Sequence, residues 1–583
     1  MRKQRPLRPY FEKMDKIGGK IDGDFIERNK QNYETIKKQE QLVEQENLRV
    51  KNTGTPAEKI HEKGQMTAYE RLNYLVDAGT WCPLHTLYNP EDNEEGCTGV
   101  IDGIGRIEGR WAVIIAFDNK VIAGAWIAGQ ADNILRVTDM ARKLNVPLVW
   151  VLNCSGVKLA EQEKVFPNAR GNGAAFFRHA ELNKLGIPVM NAIFGTNPAG
   201  GGYHGISPTI LIAHKDANIA VGGAGIVGGM TPTGHFDQES ALQIIEATRN
   251  LTAKPPGRVE THFAKTAYFR EVYDTEKEVL DGIKEYMKKL PAYDPDFFKV
   301  ADTAAPDYEQ EDLYYLLQSD HKKIYDTMQI LARLVDASEF MEYRADYGPE
   351  VITGIAKING LPVGIIGNKQ GFLLNYPDYY GPDSVGLGGK LYRQGMIKMN
   401  EFVTLCGRDN LPLIWLQDTV GIDVGDDAEE AELLALGQSL LYSIEKAHMP
   451  MMSIILRKGT AAAHYLMGGP QSTVTAFSIG TPITEIYVMH SETAAVAAYA
   501  RRLLKDHDEG KSLDGTLEKM NEMVDDYYKK SRPVYCAETG MIDEVVPLDK
   551  LRNYCQAFTS AYYQNPKSIT PVHQMILPRT IKG

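Results

Sequence analysis

Apolar and polar positions along this chain fall into a pattern that occurs twice. Val100 to Ile107 reads as a strand, Glu108-Gly109 as a tight turn, and Trp111 to Phe117 as a return strand apolar enough to be buried on both faces. A helix over about 132–143 follows, then a buried strand at 147–152 that runs into Asn153-Cys154-Ser155-Gly156-Val157. A further buried strand over 186–194 meets Gly195-Thr196-Asn197-Pro198-Ala199-Gly200-Gly201-Gly202-Tyr203-His204, with a helix-like run from Tyr203. The second half repeats this order. Residues 351–360 match the first strand and its turn, 362–367 the return strand, 412–422 the stretch 147–157, and 450 onward the stretch from 188. Arg457-Lys458-Gly459-Thr460-Ala461-Ala462-Ala463-His464-Tyr465 then lies on Gly195 to Tyr203. The offset is 251 residues for the hairpin, 265 for the stretch 147–157 and 262 from 188 onward. Near-constant offsets of this size mean one domain copied in line, and they exclude a short-period solenoid. The expected fold class is α/β, with two homologous ββα-rich domains joined near 294–305.

Ahead of the first copy, Thr67 can cap a helix, and Glu70 stands three residues on, as in a capping box. Residues 24–50 read as a charged helix with few apolar contacts: a surface arm, a dimer clasp, or a plain solvated helix. Residues 51–66 read as a linker containing Gly and Pro. The expected division is therefore 1–66 as arm and linker, 67–295 as the first domain, and 296–583 as the second with a C-terminal tail.

Composition removes several classes. With 583 residues the chain is too long for one core. A net charge of -12, from 64 basic and 76 acidic residues, gives no basic excess for nucleic acid. The six cysteines are scattered without a C-x-x-C pair, so a reduced cytoplasmic protein without a zinc ribbon is expected. No run approaches the roughly 18 apolar residues of a membrane span. The N-terminal residues carry charge but no apolar core, so no signal peptide is expected.

The chemistry lies at the glycine-rich junction. Three successive glycines between a strand and a helix permit positive φ and close approach to the main chain. The N–H groups there sit at a helix N-terminus, suited to a developing negative oxygen. Alone, such a stretch is equally a packing turn. What favours the functional reading is that the chain builds the junction twice.

At Lys63–Arg71, Ser155-Gly156-Val157-Lys158, Ala199-Gly200-Gly201 and Arg457-Lys458-Gly459 the chain resembles the carboxyltransferase family of biotin-dependent enzymes, over nearly its whole length. Residues 152–168, 195–204, 457–465 and 571–579 resemble the glutaconyl-CoA decarboxylase branch of that family, whose members belong to sodium-translocating complexes. Two departures from the carboxylases agree with that branch: Ala461-Ala462-Ala463 where paired glycines are usual, and one extra glycine at the first junction. The resemblance implies two crotonase-like ββα superhelices, and transfer of CO2 from glutaconyl-CoA to biotin on a separate carrier subunit, without ATP and without a metal. It implies that the N–H groups of Val157 and Gly201 hold the thioester oxygen. Through the repeat, Ile422 and Ala463 hold the ureido oxygen of biotin, with Ala462 replacing Ala463 if the register slips. Ser155, Gly156, Gly200, Gly202 and Tyr203 then line the acyl-CoA side, and Gly421 the biotin side. Lys158 and Arg170 are candidates for the CoA phosphates. Arg457 and Lys458 either steady the biotin side or a neighbouring carboxylate, or form an interface salt bridge. The halves that face each other in the family belong to different subunits, so a homodimer or dimer of dimers is implied. A membrane decarboxylase subunit is the further partner, which places this chain in the cytoplasm, peripheral to the membrane.

Other groups near the motifs carry plainer readings. His204 reads as a structural hydrogen-bonding group or a substrate contact, Glu161 and Glu163 as a solvated or salt-bridged face, Asp418 as an orienter of the second site, and Cys154 as a buried packer. Glu509-Gly510-Lys511-Ser512 lacks the first glycine of a phosphate loop. Gly386–Lys390 lacks dinucleotide spacing and reads as a turn. Met396-Ile397-Lys398-Met399 looks like a biotin attachment site in a helical context, whereas attachment needs an exposed hairpin. The competing expectations are a carboxyltransferase subunit of a methylcrotonyl- or propionyl-type carboxylase, and a non-catalytic scaffold that docks biotin carriers.

Overall fold

In the computed structural model, residues 14–165, 171, 173–205, 209–223, 236–291, 294–373, 386–469 and 473–564 are described. The contacts divide the chain into two units, Glu46–Tyr293 and Met1–Gln45 with Asp294–Gly583. The expected arm of residues 1–66 is thus shared between the two units. It contains β1 (Asp15–Lys16), α1 (Gly23–Arg28), α2 (Lys30–Asn52) and α3 (Ala57–His61). The supposed linker over 51–66 is therefore partly helical. The plain solvated helix does not hold either: Ile36, Val43 and Val50, seven residues apart, form a buried stripe on α2.

In the unit Glu46–Tyr293, α4 (Ala68–Leu75) starts from the expected capping box of Thr67 and Glu70. After it come β2 (Cys82–Leu84), β3 (Val100–Ile107), β4 (Arg110–Phe117), α5 (Gln130–Leu144), β5 (Leu148–Leu152), α6 (Gly173–Lys184) and β6 (Val189–Ile193). The unit continues with β7 (Thr196–Pro198), α7 (Gly200–Tyr203), β8 (Ile210–His214), β9 (Asn218–Ala220), β10 (Glu271–Tyr273) and α8 (Glu276–Lys289). The sheet order is β10-β8-β6-β5-β4-β3-β2. It is antiparallel from β2 to β4 and parallel beyond. Only two residues join β3 to β4, and both Glu108 and Gly109 have positive φ, as a two-residue hairpin turn of the primed kind requires. Helices α4 and α8 cover one face, packing Leu72, Leu75, Val279, Leu280 and Ile283 on Ile114, Val149 and Ala192.

In the other unit the described strands are β11 (Glu339–Glu342), β12 (Val351–Ile358), β13 (Leu361–Asn368), β14 (Phe372–Leu373), β15 (Gly386–Leu387) and β16 (Lys390–Leu391). Next come α9 (Arg393–Asp409), β17 (Leu413–Thr419), β18 (Gly421–Ile422), α10 (Leu433–Lys446), β19 (Met451–Thr460), α11 (Ala461–Leu466), β20 (Thr475–Gly480), β21 (Glu485–Tyr487), α12 (Ser491–Asp508) and β22 (Glu544–Val545). The main sheet runs β1-β11-β12-β13-β17-β19-β20-β22, with β21 also on β19. Its core places Trp415 and Ile366 against Met399, Phe402 and Leu440 of α9 and α10.

The repeat extends to the backbone conformation of single residues. Asn359-Gly360 turns β12 into β13 with the same pair of positive φ angles as Glu108-Gly109. Asn145 and Asn410, 265 apart, end α5 and α9 in the left-handed conformation. Gly156 and Gly421, also 265 apart, have φ of 110° and 125°. Ala199 and Ala461, 262 apart, have φ of 50° and 48°.

The first half is closed by one buried ion pair. Arg71 Nε and Nη2 each donate at 2.8 Å to Glu276, so α4 is clamped to the start of α8. Both side chains are almost wholly buried. Met66 N–H donates to the same carboxylate, and Phe194 lies under the guanidinium. The Lys63–Arg71 motif is therefore a structural clamp. Glu276→Ala should cost about 3–5 kcal/mol, because it strands a buried guanidinium. It should bring forward the first transition in urea unfolding, and adding Arg71→Met should recover most of the loss. Unfolding of the single variant together with wild type would show that the pair contributes nothing.

Candidate active site

The first junction begins where β5 ends. Trp126 N–H donates to Gly156 O at 2.7 Å, and Lys158 N–H to Trp126 O at 2.9 Å. This short parallel bridge uses the residues on either side of Val157, so the Val157 N–H points to the other side. Gly156 needs its positive φ for this turn. Across from it, the chain leaves β7 through Ala199, which caps α7 at φ 50°, ψ -124°. The N–H groups of Gly200, Gly201 and Gly202 form the first turn, where helices leave donors without internal partners. None of them, nor that of Val157, meets an acceptor among the described residues.

The glycines are required by close packing and not by positive φ, which falls on Gly195 and Ala199. A Cβ on Gly200 would enter the Trp126 ring, one on Gly201 would stand 2.5 Å from Cys154 O, and one on Gly202 would stand 2.9 Å from Ile219. The helix therefore begins at Gly200 rather than Tyr203 and presses onto the segment that holds Val157. Asn197, absent from the sequence-based candidates, locks this arrangement. Its buried Oδ1 accepts Cys154 N–H at 2.7 Å, and its Nδ2 donates to Phe194 O and Asn218 O. Lying inside the quoted junction, it was available to sequence reading as a buried-amide bracket.

The second junction follows the same plan. Asp423 N–H donates to Leu391 O at 3.0 Å, as Lys158 does to Trp126, so alternation turns the Ile422 N–H off the β16–β18 pair. Helix α11 packs against β18. Ala461 carries the positive φ of Ala199, so the structural register places Ala462 on Gly200 and Ala463 on Gly201 without slippage. The N–H groups of Ala462 and Ala463 have no acceptor among the described residues. Ala463 is buried, whereas Ala462 is exposed. Tyr203 and Tyr465, again 262 apart, are 42% and 48% exposed beside the two helix starts.

Asp418 anchors the second junction. Its Oδ2 accepts Arg457 Nε at 2.8 Å and Tyr325 OH at 2.9 Å, and its Oδ1 accepts Lys458 N–H at 3.2 Å. Burial works against its ionisation, but the charges of Arg457 and Lys458 overcome this and hold the carboxyl below the usual value. Arg457 Nη1 also donates to Lys323 O at 2.8 Å. Arg457 thus serves a neighbouring carboxylate of its own unit. Tyr325, 93 residues from Asp418, had no signal in the sequence.

Other candidates change role. Lys158 is paired with Glu161 at 2.8 Å and Glu95 at 3.6 Å, so a CoA phosphate would compete with two carboxylates for its ammonium. Arg170 lies outside the described residues. Ser155 Oγ donates to Ile122 O and fixes the loop. His204 fits neither of its readings. It is wholly buried among Trp150, Trp126, Phe117 and Phe176, and its ring nitrogens have no partner among the described residues. Burial keeps the ring neutral, and it serves as packing beneath α7. Burial likewise pushes the Cys154 thiol up to about 12, in keeping with a packer. Lys398 is buried in α9 with Nζ on Val351 O at 2.7 Å, so it cannot carry an accessible biotin. Among the described residues, no group of three or more His, Cys, Asp or Glu could hold a metal, and no helix is long and apolar enough to cross a membrane.

The family model "Carboxyl transferase domain" matches residues 59–576. Glutaconyl-CoA decarboxylase subunit alpha of Acidaminococcus fermentans is 54% identical over 575 residues, covering 98% of this chain and 97% of that protein. The biotin-dependent 3-methylcrotonyl-coenzyme A carboxylase beta1 subunit of Mycobacterium tuberculosis is 27% identical over 75% of this chain and 77% of its own length. Among solved structures, the P. aeruginosa geranyl-CoA carboxylase beta subunit superposes with a TM-score of 0.74 at 21% identity, over 95% of this chain and 98% of that one. This likeness supports the expected two-domain, crotonase-like α/β fold. On the breadth of these matches and the duplicated junctions, the chain belongs to the carboxyl transferase family.

Proposed function

We propose that this chain moves a carboxyl group from glutaconyl-CoA to biotin held on a separate carrier subunit, releasing crotonyl-CoA. The observation that carries the reading is the pair of equivalent cradles, each with a strand-end N–H and a helix-start N–H left without acceptors among the described residues. The 54% identical relative supplies the acyl group. In the first cradle, the bond between the carboxyl group and the γ-carbon breaks, and its electron pair delocalises onto the thioester oxygen. The N–H groups of Val157 and Gly201 hold that oxygen, and one such donor contributes roughly 3 kcal/mol to the transition state. In the second cradle the N–H groups of Ile422 and Ala463, with Ala462 beside them, suit a neutral carbonyl that gains negative charge. The ureido group of biotin has that chemistry, and when bound it supplies the nitrogen that takes the carboxyl group. The proton this nitrogen gives up completes crotonyl-CoA, so no protein base is needed.

As in the sequence-based expectation, the working form is a homodimer or dimer of dimers. It works with the carrier and a membrane decarboxylase subunit in a sodium-translocating complex, on the cytoplasmic side. Purified chain with free biotin and glutaconyl-CoA should form crotonyl-CoA without ATP; no crotonyl-CoA would sink the reading. Gly201→Ala keeps the N–H but forces a Cβ onto Cys154 O, so kcat should fall about 100-fold, the cost of a misplaced group. Retention of wild-type kcat would remove Gly201 from the site.

Asp418→Asn should cost about 3 kcal/mol by stranding Arg457. Because the folded-state pKa of Asp418 is lowered, its contribution is complete above the ordinary carboxyl value of about 4 and fades as pH falls further. The gap in Tm between wild type and variant should therefore be steady near neutrality and narrow below about pH 4. A gap that widens with acid would contradict the ion pair.

A further inference from the structure

Lys458 stands two residues ahead of Thr460, the last residue of β19 before α11. It is 5% exposed, yet among the described residues no carboxylate lies within 4.0 Å of its ammonium and no acceptor takes a hydrogen bond from it. The stem is buried while Nζ keeps contact with solvent, so the ammonium is open to a ligand from outside the fold. The charged groups around it are Asp418 on β17, Arg457 beside it, Glu485 at its register position on β21, and His490 at the head of α12. Both acids already have nearer partners. Asp418 holds Arg457, and Glu485 holds Arg532 at 2.7 Å and His321 at 3.2 Å. Burial, followed by the pull of Asp418 and the push of Arg457, leaves the lysine pKa below its ordinary value. The repeat shows that the fold does not need a cation here: Thr196 occupies the equivalent position in the first half, 262 residues earlier.

We propose that the Lys458 ammonium binds the carboxylate in transit on the biotin side of the transfer, next to the N–H groups of α11. This rests on the function proposed above. The carbon–carbon bond breaks with its electron pair staying on the acyl group, the carboxyl carbon bonds to the accepting nitrogen, and that nitrogen's proton goes to the acyl γ-carbon. Lys458 remains an ammonium throughout, so atoms, charge and electrons balance without any co-reactant.

The test compares Lys458→Met and Lys458→Arg with wild type, using bicarbonate as the carboxylate-like probe. Lys458→Met should be at least as thermally stable as wild type, because it removes a partly desolvated charge that no protein group pairs. Its kcat with glutaconyl-CoA and free biotin should fall about 100-fold, with KM for the acyl-CoA unchanged. Lys458→Arg should recover part of kcat and move the alkaline limb of the pH profile upward. Bicarbonate should raise the Tm of wild type and leave that of Lys458→Met unmoved. The inference is overturned if Lys458→Met keeps its turnover, if it loses stability in step with activity, or if bicarbonate acts on both proteins alike. An inactive wild type that still shows the bicarbonate effect would instead defeat the proposed reaction and leave the carboxylate site standing.

Discussion

An unpaired main-chain N–H inside a protein is costly, on the order of 1–3 kcal/mol once water is withdrawn. At both junctions this chain leaves N–H groups without acceptors among the described residues, on buried Gly201 and Ala463 and half-buried Val157 and Ile422, so the cost applies when a ligand displaces water from them. Each cradle needs a strand whose end bonds through its flanking residues only, as Gly156 and Lys158 do around Val157. Each also needs a helix whose first turn starts abruptly, and the positive φ at Ala199 and Ala461 provides that start. A non-glycine residue in this region is strained by roughly 1–3 kcal/mol. Both features work against stability, and the buried sheets, capping boxes and the Arg71–Glu276 clamp offset them.

The two copies stabilise the same geometry by different means. In the first half the bracket is neutral: Asn197 spans Cys154, Phe194 and Asn218 with amide hydrogen bonds. In the second half it is ionic, with Asp418, Arg457 and Tyr325 tied together in the interior. A neutral frame leaves the field of the first cradle to the N–H dipoles alone, which suits an oxygen that becomes charged only during reaction. The ionic frame of the second adds the Lys458 ammonium, which suits the carboxylate being moved, to N–H groups suited to a carbonyl that gains charge.

How much of this was legible beforehand depends on sequence separation. The strands, the two hairpins, α5 and the capping box at Thr67 were readable because their signals are local: alternating or continuous apolar runs, Glu-Gly and Asn-Gly turns, and a Thr-x-x-Glu spacing. The repeat made the paired junctions legible as well. The start of α7 was misjudged because glycine in sequence signals freedom of φ. Here Gly200, Gly201 and Gly202 answer instead to Trp126, Cys154 and Ile219, none of which is a neighbour in sequence. The surroundings of Lys158 were hidden for a similar reason, since Glu95 reaches it from a loop more than sixty residues away. Tyr325 likewise enters the second junction only through the fold.

The two copies also differ by a matched exchange. Asn153 and Asp418 are equivalent at an offset of 265, and Gly195 and Arg457 at 262. In the first half the Asn153 carboxamide lies so close to Gly195 that a Cβ there would stand 2.6 Å from its Oδ1. Asparagine therefore requires glycine opposite it. In the second half the carboxylate of Asp418 requires the guanidinium of Arg457, which needs room for its long side chain and finds backbone carbonyls at Gln318 and Lys323 to complete its donors. Changing either partner alone creates a clash or a stranded charge, so each residue fits only with its own partner. The exchange alters the backbone at the site itself, where Gly195 has φ of 56° and Arg457 lies within the continuous strand β19, and it alters the electrostatic field around N–H groups whose helix starts still agree within 2° in φ at Ala199 and Ala461.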